Sequence, residues 1–569
     1  MGSKRFWVKS WDKGLRDLDK KEWETSYTDV IRLAFKEFPD KTAFAFMGVE
    51  VTFRELDEYS NRFANLLIKQ GFKKGDVVGI NLPNIPEYVI AWLGTLKAGC
   101  VVSGVSPLMP ANEMEYQLKD SNARGIVTLD AIFAARLSGV AHNLPDLKLV
   151  VAASVGGFLP AIKSTLGRLI GKIPKGKVTP LAGKDVYNFK DVIRPGAFPD
   201  SLPNVKIGPN DIAYIQYTGG TTGAPKGAML THRNAVSDLI IVQRWLDWER
   251  GAGTALSAFP LFHIAGLFFC ANCIYLGWTQ ILIPNPRDTD HICKELAEYK
   301  PGFIANVPSL YYLLISNPKF KKLDHANLKI CISAAAPFPE ESQKILESVV
   351  GAGKLLEVYG MSETSPLTVM NPSRGAKKLG SIGLPILNTE MKLVDPASGK
   401  EVALGKPGEI CVKGPMVMKG YYNKPKETKI AIDAQGYMHT GDVAIQDKEG
   451  YLRLVDRTKD MLNISGFKVF SKRVEEILTG HPAIDIVALI GVPNPEIPGS
   501  EIVKAFVIIR DGYDYGDDEK ALKNDITAYA RKHLAPYEVP KAIEFRKELP
   551  LTTIGKIDKK VLRAEAHKK

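Results

Sequence analysis

A glycine- and threonine-rich stretch at residues 217–227 holds the residue types best suited to binding an anion. It reads Tyr-Thr-Gly-Gly-Thr-Thr-Gly-Ala-Pro-Lys-Gly and begins where an apolar run, residues 212–217, predicts a buried strand. Glycines let a backbone approach an anion closely, threonine hydroxyls add donors, and Lys226 adds a positive charge. The order Gly-x-x-x-x-Gly-Lys-Ser/Thr does not occur, so this is not a Walker A loop. The pattern predicts a polyphosphate-binding loop made of Thr218, Gly219, Gly220, Thr221, Thr222, Gly223 and Lys226.

A second stretch, Tyr-Gly-Met-Ser-Glu-Thr at residues 359–364, offers groups that complement the first. Tyr359 presents an aromatic face on which adenine could stack, and Glu363 presents a carboxylate of the kind that Mg²⁺ prefers. Upstream, Ser-Ala-Ala-Ala-Pro at residues 333–337 is a loop of small side chains that would admit a flat ring. A glutamate on an ordinary surface turn is the alternative for the second stretch taken alone. Its occurrence together with the phosphate-binding pattern favours a nucleotide site.

These stretches resemble motifs of the adenylate-forming enzymes, the superfamily of acyl-CoA synthetases, luciferases and peptide-synthetase adenylation domains. The Thr-Gly-Gly-Thr-Thr-Gly form at 218–223 is most similar to that of the fatty acyl-CoA ligases. Further matches are His-Thr-Gly-Asp at 439–442, Asp-Arg-Thr-Lys-Asp at 456–460 and Pro-Leu-Thr-Thr-Ile-Gly-Lys at 550–556. The motifs stand in the family's order, and the resemblance covers nearly the whole chain.

The resemblance implies a role for each matched residue. Thr222 and Glu363 would help to hold Mg²⁺-ATP, with Lys226 near the leaving phosphates, and Lys556 would bridge the substrate carboxylate and the phosphate. Asp442 would bind the ribose hydroxyls and Arg457 the ribose and phosphate region, as expected of a carboxylate and a guanidinium. The residues expected beside the adenine nucleotide are Ala335, Ala336, Pro337, Tyr359, Gly360, Met361 and Ser362.

Two further stretches resemble the family's acyl and CoA sites. Phe-Pro-Leu-Phe-His-Ile-Ala-Gly at residues 259–266 makes His263 and Gly266 candidate substrate-binding residues. The second stretch is Ile-Ser-Gly-Phe-Lys-Val at residues 464–469, in which Gly466 would let a pantetheine arm pass close to the backbone. Where the family often has a proline and a glutamate, this chain has Ser471 and Arg473, so its CoA contacts are less well defined by the resemblance.

The implied reaction has two steps. A fatty acid carboxylate attacks the α-phosphate of ATP, and the CoA thiol then attacks the acyl-AMP, giving acyl-CoA and AMP. Between the steps the C-terminal domain would rotate about Lys459 and withdraw Lys556. The resemblance therefore implies an AMP-forming fatty acid–CoA ligase (EC 6.2.1.-, with 6.2.1.3 favoured) that uses ATP, Mg²⁺ and coenzyme A.

The chain should divide into more than one domain, because 569 residues exceed what a single core usually supports. Strands and helices alternate through residues 20–150, and this βαβ order predicts parallel-sheet α/β layers. The resemblance adds a distorted barrel to a large domain, residues 1–458, and a small mobile α+β domain at 459–569. The predicted elements include helices at 28–38 and 53–70, the second capped by Thr52, and strands at 42–46 and 77–80.

A basic amphipathic segment interrupts the alternation at residues 156–177, which contain no acidic residue. On a helical wheel, Phe158, Leu159, Ile162, Leu166, Leu169, Ile170 and Ile173 share one face. Such a helix could lie on an anionic bilayer, although packing on the main domain is the alternative. Half of the net charge of +12 lies within residues 156–196, and residues 459–569 are close to neutral, so no nucleic-acid partner is expected.

The remaining features concern location and assembly. No apolar run is long enough to span a membrane, and the N-terminus lacks the apolar core of a secretory signal. The six cysteines lie mostly in apolar surroundings, as reduced buried thiols would. These features favour the cytoplasm, with peripheral contact at the inner face of the membrane. The sequence does not decide whether the chain forms a homodimer. The side chains of four lysines near the C-terminus are expected to be solvated, namely Lys559, Lys560, Lys568 and Lys569.

Several alternatives remain at this point. One is a CoA ligase for aryl or other small acids, and another is a fatty acyl-AMP ligase that feeds a carrier protein. A non-catalytic, ATP-binding membrane scaffold is the alternative from a different class, and the presence of Lys556 argues against it. No pattern in the sequence supports a luciferase-type oxidase.

Overall fold

The computed structural model describes residues 5–218, 224–336, 338–464, 467–495, 497, 501–516, 518–551 and 557–566. Several predicted site residues lie outside the described residues, namely Gly219, Gly220, Thr221, Thr222, Gly223, Pro337, Gly466 and Lys556.

Short strands account for most of the sheet structure, and many of them are buried along their whole length. In chain order the strands are β1 (Thr42–Phe46), β2 (Val49–Thr52), β3 (Val77–Asn81), β4 (Val101–Gly104), β5 (Ala123–Leu129), β6 (Leu149–Ala153), β7 (Asp185–Asn188), β8 (Ile212–Thr218), β9 (Lys226–Thr231), β10 (Thr254–Ser257), β11 (Thr279–Leu282), β12 (Phe303–Asn306), β13 (Ile330–Ser333), β14 (Leu355–Gly360), β15 (Leu367–Met370), β16 (Leu384–Pro385), β17 (Glu390–Val394), β18 (Gly408–Lys413), β19 (Gly420–Tyr421), β20 (Met438–Gln446), β21 (Leu452–Arg457), β22 (Leu462–Ile464), β23 (Phe467–Val469), β24 (Ile484–Pro493), β25 (Glu501–Ile509) and β26 (Ala542–Phe545).

Some of the helices begin at residues whose side chains cap them. Thr52 and Thr231 each close a capping box, with Glu55 and Asn234 as their respective partners. In chain order the helices are α1 (Tyr27–Glu37), α2 (Phe53–Lys69), α3 (Pro86–Lys97), α4 (Ala111–Asp120), α5 (Asp130–Ile132), α6 (Ser138–Val140), α7 (Ala161–Leu169), α8 (Phe189–Ile193), α9 (His232–Leu246), α10 (Ile264–Leu276), α11 (Thr289–Tyr299), α12 (Pro308–Ser316), α13 (Pro318–Lys322), α14 (Glu340–Val350), α15 (Pro425–Ala431), α16 (Ser471–Leu478), α17 (Glu519–His533) and α18 (Lys559–Ala566). A 3₁₀ turn, Ser362–Thr364, follows β14.

The chain forms two compact units. The larger consists of Trp7–Glu390 and Val412–Met438, and the smaller of Met1–Phe6, Met391–Cys411 and His439–Lys569. The smaller unit therefore includes chain on both sides of Lys459. The domain boundary and the hinge predicted at Lys459 stay predictions.

The larger unit is built on two sheets that are mainly parallel. One has nine strands in the order β16-β15-β14-β13-β12-β10-β11-β1-β2, and the other has eight in the order β19-β9-β8-β4-β3-β5-β6-β7. Strands β1 and β10 to β14 run parallel to one another within the first sheet, and β3 to β8 do so within the second. Antiparallel pairs occur toward the edges, where β8 pairs with β9 and β9 with β19.

The smaller unit has its own core. Sheet β24-β25-β26 packs against α16 and α17 through buried side chains that include Val474, Leu489 and Ile526. The mixed α/β class, with large parallel-sheet layers and a smaller α+β part toward the C-terminus, is confirmed. The barrel and the mobility of the smaller part stay predictions.

The predicted helix at 158–177 is shorter in the structure, where only Ala161–Leu169 is helical. Gly171 has a φ of +70°, a left-handed conformation that ends a helix readily when glycine occupies it. No helix in the described part of the chain combines the length and the apolar character that crossing a bilayer requires.

Candidate active site

The predicted phosphate-binding loop joins two antiparallel strands. β8 and β9 form a hairpin in which Thr218 lies opposite Lys226, and the segment between them is the loop itself. A Cβ atom on Gly227 would lie only 2.5 Å from the side chain of Ile215, so glycine is required for the strands to pack here. Since α9 begins only after β9, the loop is not a strand-to-helix turn of the P-loop kind.

Glu363 brings the two predicted stretches together. Its side chain is buried, and its Oε1 accepts hydrogen bonds from the hydroxyls of Tyr421 at 2.8 Å and Thr218 at 3.4 Å. The ammonium of Lys226 lies 4.8 Å from the centroid of the Tyr421 ring. A carboxylate, two hydroxyls and a lysine therefore converge at the end of the β8–β9 hairpin.

Tyr421 is a further candidate site residue, and sequence reasoning missed it. It lies on the two-residue strand β19, which pairs with β9 and so reaches the hairpin from a distant part of the chain. Burial, followed by the charge of Glu363, holds the pKa of Tyr421 far above its usual range, so the hydroxyl stays protonated and donates. Gly-Tyr-Tyr at 420–422 reads only as an apolar strand fragment, and no local signal marks it as functional.

The donor set around Glu363 fits Mg²⁺. Carboxylate and hydroxyl oxygens are the ligands that this hard cation prefers, and it usually shares substrate phosphates with them. Thr222, the other predicted metal ligand, lies outside the described residues.

The predicted adenine region lies at the carboxyl ends of three parallel strands. Asn306 ends β12, Ser333 ends β13 opposite it, and Tyr359 lies near the end of β14. Asn306 and Ser333 are fully buried, and within the described chain the Asn306 Nδ2 and Ser333 Oγ atoms have no hydrogen-bond partner. Ligands of open α/β sheets bind outside the carboxyl ends of the strands, so these two polar groups are candidate nucleotide contacts.

The backbone around Tyr359 and the alanine loop is tightly constrained. A Cβ atom on Gly360 would lie 1.7 Å from the carbonyl oxygen of Pro366, and the amide of Met361 donates to that same oxygen at 2.8 Å. Ser362 is buried in the 3₁₀ turn. Ala335 adopts a φ of +68°, which shapes the loop next to Ala336.

The predicted ribose-binding pair lies in the smaller unit. Asp442 on β20 and Arg457 on β21 occupy opposite positions, and Arg457 Nε lies 2.9 Å from Asp442 Oδ1. The amide of Asp442 donates to Thr440 Oγ1 at 3.1 Å, and the amide of Gly441 donates to Glu409 Oε1 at 3.0 Å. These bonds fix the part of β20 that carries the carboxylate.

Lys459, the predicted hinge residue, has an unusual environment. Burial, followed by the positive charge of Arg457, lowers the pKa of Lys459 to about 8. Its carbonyl oxygen accepts a hydrogen bond from Arg563 at 3.4 Å, and the same guanidinium lies 2.5 Å from Asp460. Helix α18 is thereby tied to the chain beside Lys459.

The prediction that Lys559 is solvated is wrong. Its ammonium lies 2.7 Å from Glu475 Oε1 and donates to Ser471 Oγ at 2.7 Å. Ser471 in turn donates to the carboxylate of Asp456 through its hydroxyl, at 3.2 Å, and through its amide. Lys560 is exposed as expected, and Lys568 and Lys569 lie outside the described residues.

This network holds one end of the segment that carries Lys556. Leu551 bridges Ile557 in antiparallel fashion, and the amide of Asp558 donates to Pro550 O at 2.7 Å, so the two ends of residues 552–556 are joined. Lys559 follows directly and is anchored to α16 through Glu475.

We expect Lys559→Met to destabilise the smaller unit by about 2–3 kcal/mol, because it leaves the Glu475 carboxylate buried without its cation. Burial already raises the pKa of Glu475, against the opposing effect of Lys559. The shift of the urea midpoint of the purified chain measures the loss. Adding Glu475→Gln keeps the acceptor for the amide of Leu489 but removes the charge, so it should recover about 1 kcal/mol. Equal midpoints for the single variant and the unsubstituted chain would contradict the anchoring role.

A small apolar cavity lies between α9 and α10 in the larger unit, with a volume of about 10 Å³, which is roughly the space that one water molecule needs. Its lining is almost wholly apolar and consists of Tyr214, Leu230, Ala235, Leu239, Ile264, Leu267, Phe268, Ala271 and Ser365.

The two predicted substrate-binding residues, His263 and Gly266, lie at the start of α10 and are not among the residues that line this cavity. His263 is the N-cap of α10, where its Nδ1 accepts from the amide of Ala265 at 3.3 Å. Gly266 lies against Pro260, whose carbonyl oxygen would be 2.3 Å from a Cβ atom. Both residues fix the start of the helix whose next two turns line the cavity, and their substrate contacts stay a prediction.

All six cysteines lie in the described residues, and each is buried and outside any disulfide. Cys270 and Cys273, which could form a redox or metal pair by spacing, lie inside α10, and burial raises the pKa of both thiols. Their environment is that of structural, unreactive thiols.

The parallel sheets, with polar groups at the carboxyl ends of their strands, are the arrangement expected of a nucleotide-binding α/β enzyme. The sequence model of AMP-binding enzymes matches residues 31–422, and that of the AMP-binding enzyme C-terminal domain matches residues 473–556. The chain belongs to the AMP-binding enzyme family.

Similar proteins span almost the whole chain. A long-chain-fatty-acid–CoA ligase of Escherichia coli O157:H7 is 38% identical over 548 residues, covering 96% of this chain and 95% of that protein. One from Bacillus subtilis (strain 168) is 39% identical over 525 residues, with 91% of each chain covered. The crystal structure of the anthranilate CoA ligase AuaEII in complex with anthranoyl-AMP is 26% identical, with a TM-score of 0.82 and coverage of 97% of this chain and 99% of that one.

Proposed function

We propose that this chain is an ATP-dependent ligase that joins a long-chain fatty acid to coenzyme A through an acyl-AMP intermediate, releasing AMP and pyrophosphate. The observation that carries the proposal is the convergence of Glu363, Thr218, Lys226 and Tyr421 at the end of the β8–β9 hairpin, in the unit that also holds the apolar cavity. This set of groups suits Mg²⁺-bound polyphosphate, and a hydrocarbon tail would fit among the apolar side chains around the cavity if these side chains move apart. The named relatives of similar length and the family membership support the same reaction class.

In the first step an oxygen of the fatty acid carboxylate attacks the α-phosphorus of ATP, and the bond to the pyrophosphate oxygen breaks. Negative charge builds on the phosphoryl oxygens, so catalysis consists mainly of positioning and electrostatic stabilisation. Lys226, at the end of the β8–β9 hairpin, would meet the leaving phosphates. Glu363 and Thr222 would hold Mg²⁺, which supplies charge neutralisation to the phosphates when bound.

In the second step the thiol sulfur of CoA attacks the carbonyl carbon of the acyl-AMP. The bond to the phosphate oxygen breaks, AMP leaves, and the thiol proton passes to solvent or a base. We assign Asp442 and Arg457 to the ribose and phosphate of the nucleotide, and Gly466 to the pantetheine path. A hinge at Lys459 between residues 1–458 and 459–569 would exchange the groups needed for the two steps, and its support is the resemblance of residues 456–460 to the family's hinge.

A chain-length profile tests the proposal. Pyrophosphate release is measured with palmitate, octanoate and cinnamate, each with and without CoA. We expect palmitate to give the highest kcat/KM and CoA to sustain turnover beyond the first equivalent. A preference for cinnamate would favour a ligase for aryl acids, and acyl-AMP accumulation without CoA turnover would favour a ligase that feeds a carrier protein. Absence of acid-dependent pyrophosphate release would favour a non-catalytic, nucleotide-binding scaffold.

Filling and enlarging the cavity should move the chain-length profile in opposite directions. Ala271→Leu adds bulk at a buried lining position, whereas Leu239→Ala removes it from the facing helix. Each methylene excluded from an apolar site costs about 0.8 kcal/mol, so losing three methylenes lowers kcat/KM for palmitate by about 50-fold. We expect Ala271→Leu to favour octanoate over palmitate, and Leu239→Ala to favour longer acids. Parallel loss of activity on all acids in both variants would place the acyl site elsewhere.

ATP and CoA are cytoplasmic substrates, and we place the enzyme in the cytoplasm on that ground. A long-chain fatty acid partitions into lipid, so the enzyme would meet its substrate at a membrane surface. A homodimer stays a prediction, which sedimentation of the purified chain would test.

A further inference from the structure

Residues 158–177 expose an unusual amount of apolar side chain. Ile162, Leu166, Leu169 and Ile170 are 83%, 56%, 78% and 58% exposed, respectively. Single exposed apolar side chains are common on protein surfaces, whereas contiguous clusters of this kind mark sites of interaction. These four residues recur at helical spacing on α7 and at its C-terminal end, so they form one continuous apolar ridge.

Other side chains of the same segment fix it to the larger unit. Leu159 and Ile173 are buried, and the Phe158 ring meets the Tyr59 ring edge-on with centroids 6.0 Å apart. Ile173 folds back under the helix, where its amide donates to Gly167 O at 2.9 Å and its side chain would meet a Cβ atom on Gly167 at 2.6 Å. The predicted apolar face is therefore divided into a buried anchor and an exposed ridge.

The surroundings of the ridge are basic. The side chains of Lys163, Arg168, Lys172, Lys175 and Lys177 are exposed, and residues 156–177 contain no acidic residue. Asp130 is the nearby acidic group that interacts with Arg168 and Lys175. Two copies of so uniformly positive a segment would repel each other, which disfavours self-association through the ridge. An apolar ridge flanked by lysine and arginine matches the boundary between acyl chains and anionic headgroups.

We infer that residues 158–177 form a docking element that seats the chain on an anionic lipid bilayer. The ridge of Ile162, Leu166, Leu169 and Ile170 enters the headgroup–acyl boundary, and the basic side chains contact lipid phosphates. Helix α7 has nine residues, a length that suits lying in the interface and not crossing it. Docking on the bilayer does not depend on the proposed function. Only the further statement, that the enzyme meets a membrane-dissolved fatty acid there as its substrate, rests on that function.

Vesicle co-sedimentation of the full chain tests the docking directly. The probes are vesicles of phosphatidylcholine alone and vesicles with one-third phosphatidylglycerol. The test variant replaces the four ridge residues by serine, and the control variant carries Ile345→Ser and Ile430→Ser, which alter apolar side chains 53% and 79% exposed elsewhere. We expect the unsubstituted chain to bind the anionic vesicles and to lose binding as salt rises. The ridge variant should bind at least about 10-fold more weakly, and the control variant should match the unsubstituted chain.

Three outcomes would overturn the inference. They are failure of the unsubstituted chain to bind anionic vesicles, equal binding by the ridge variant, and a change of oligomeric state in the ridge variant in place of a change in vesicle binding. The last would identify a protein interface. A charge-reversed variant, Lys163→Glu with Lys172→Glu, adds an independent arm, since it keeps the ridge and should bind at least about 30-fold more weakly.

Vesicle binding is read without catalysis, so it separates failure of docking from failure of the proposed function. Activity then tests the link between them. The ridge variant should keep its activity on octanoate in solution, and it should lose activity on palmitate delivered in anionic vesicles. Full activity of the ridge variant on vesicle-borne palmitate would contradict delivery through the docking element, even if binding were weakened.

Discussion

Replacing Lys556 by alanine is expected to remove nearly all adenylation while sparing thioester formation from supplied acyl-AMP. A positive charge placed where charge develops on the phosphoryl oxygens typically contributes a factor of about 10²–10³ in rate. In the second step the bond that breaks joins the acyl carbon to a phosphate oxygen. Because no bond to phosphorus breaks, this step does not need the charge of Lys556. The expected result is thus a loss in acid-dependent pyrophosphate release of about 10²-fold or more, with CoA-dependent consumption of acyl-AMP changed by less than about threefold.

Lys560→Ala is the matched control, since Lys560 is an exposed lysine four residues further along the chain. It should leave both half-reactions at the level of the unsubstituted enzyme. Equal loss of the two half-reactions in a folded Lys556→Ala variant would contradict the assigned role. Lys559→Met differs from both variants, because its principal effect should be on the urea midpoint of the smaller unit.

The bounds of many elements could be predicted from local pattern alone. The strand Thr42–Phe46 lies where the sequence predicts it, and Thr52 caps its helix as predicted. A capping box or an apolar run is encoded by a few adjacent residues, so it can be predicted without knowledge of the remaining chain.

Contacts between distant segments could not be predicted in this way. Tyr421 reaches Glu363 only because β19 pairs with β9, and Asn306 lies beside Ser333 only because β12 pairs with β13. Lys559 looks like one of several terminal lysines, and its ion pair depends on the position of Glu475 on α16. Each of these residues has an ordinary local sequence, and its environment arises from strand order and packing.

The segment at 158–177 shows a third kind of difference. Its apolar periodicity is compatible with one long amphipathic helix, but Gly171 and Pro174 favour an early end, and the structure has one. The sequence does not distinguish the side chains that anchor the segment from those that remain exposed. The fold makes that division by covering Leu159 and Ile173, and the ridge variant depends on it.

Glu363→Gln is expected to lower kcat for pyrophosphate release by about 10²-fold and to raise the Mg²⁺ concentration needed for half-maximal activity. The amide keeps the size of the side chain and can still accept from Tyr421, but it lacks the negative charge that a hard cation prefers. Because the carboxylate is buried between Tyr421 and Thr218, little solvent is present to replace it. Glu341→Gln, at a carboxylate that is 82% exposed, is the matched control and should behave like the unsubstituted enzyme.

Tyr421→Phe separates the charge of Glu363 from its orientation. Removing a hydrogen bond to a charged group costs about 1.5–3 kcal/mol, so kcat should fall by about 10- to 100-fold. The two variants should be non-additive, because Tyr421 acts through Glu363, and Tyr421→Phe should have little further effect in the Glu363→Gln background. Mg²⁺ titrations of pyrophosphate release, made on the single and double variants, measure this coupling. Unchanged Mg²⁺ dependence in Glu363→Gln, or full additivity in the double variant, would remove Glu363 from the metal site and leave Tyr421 with a separate structural role.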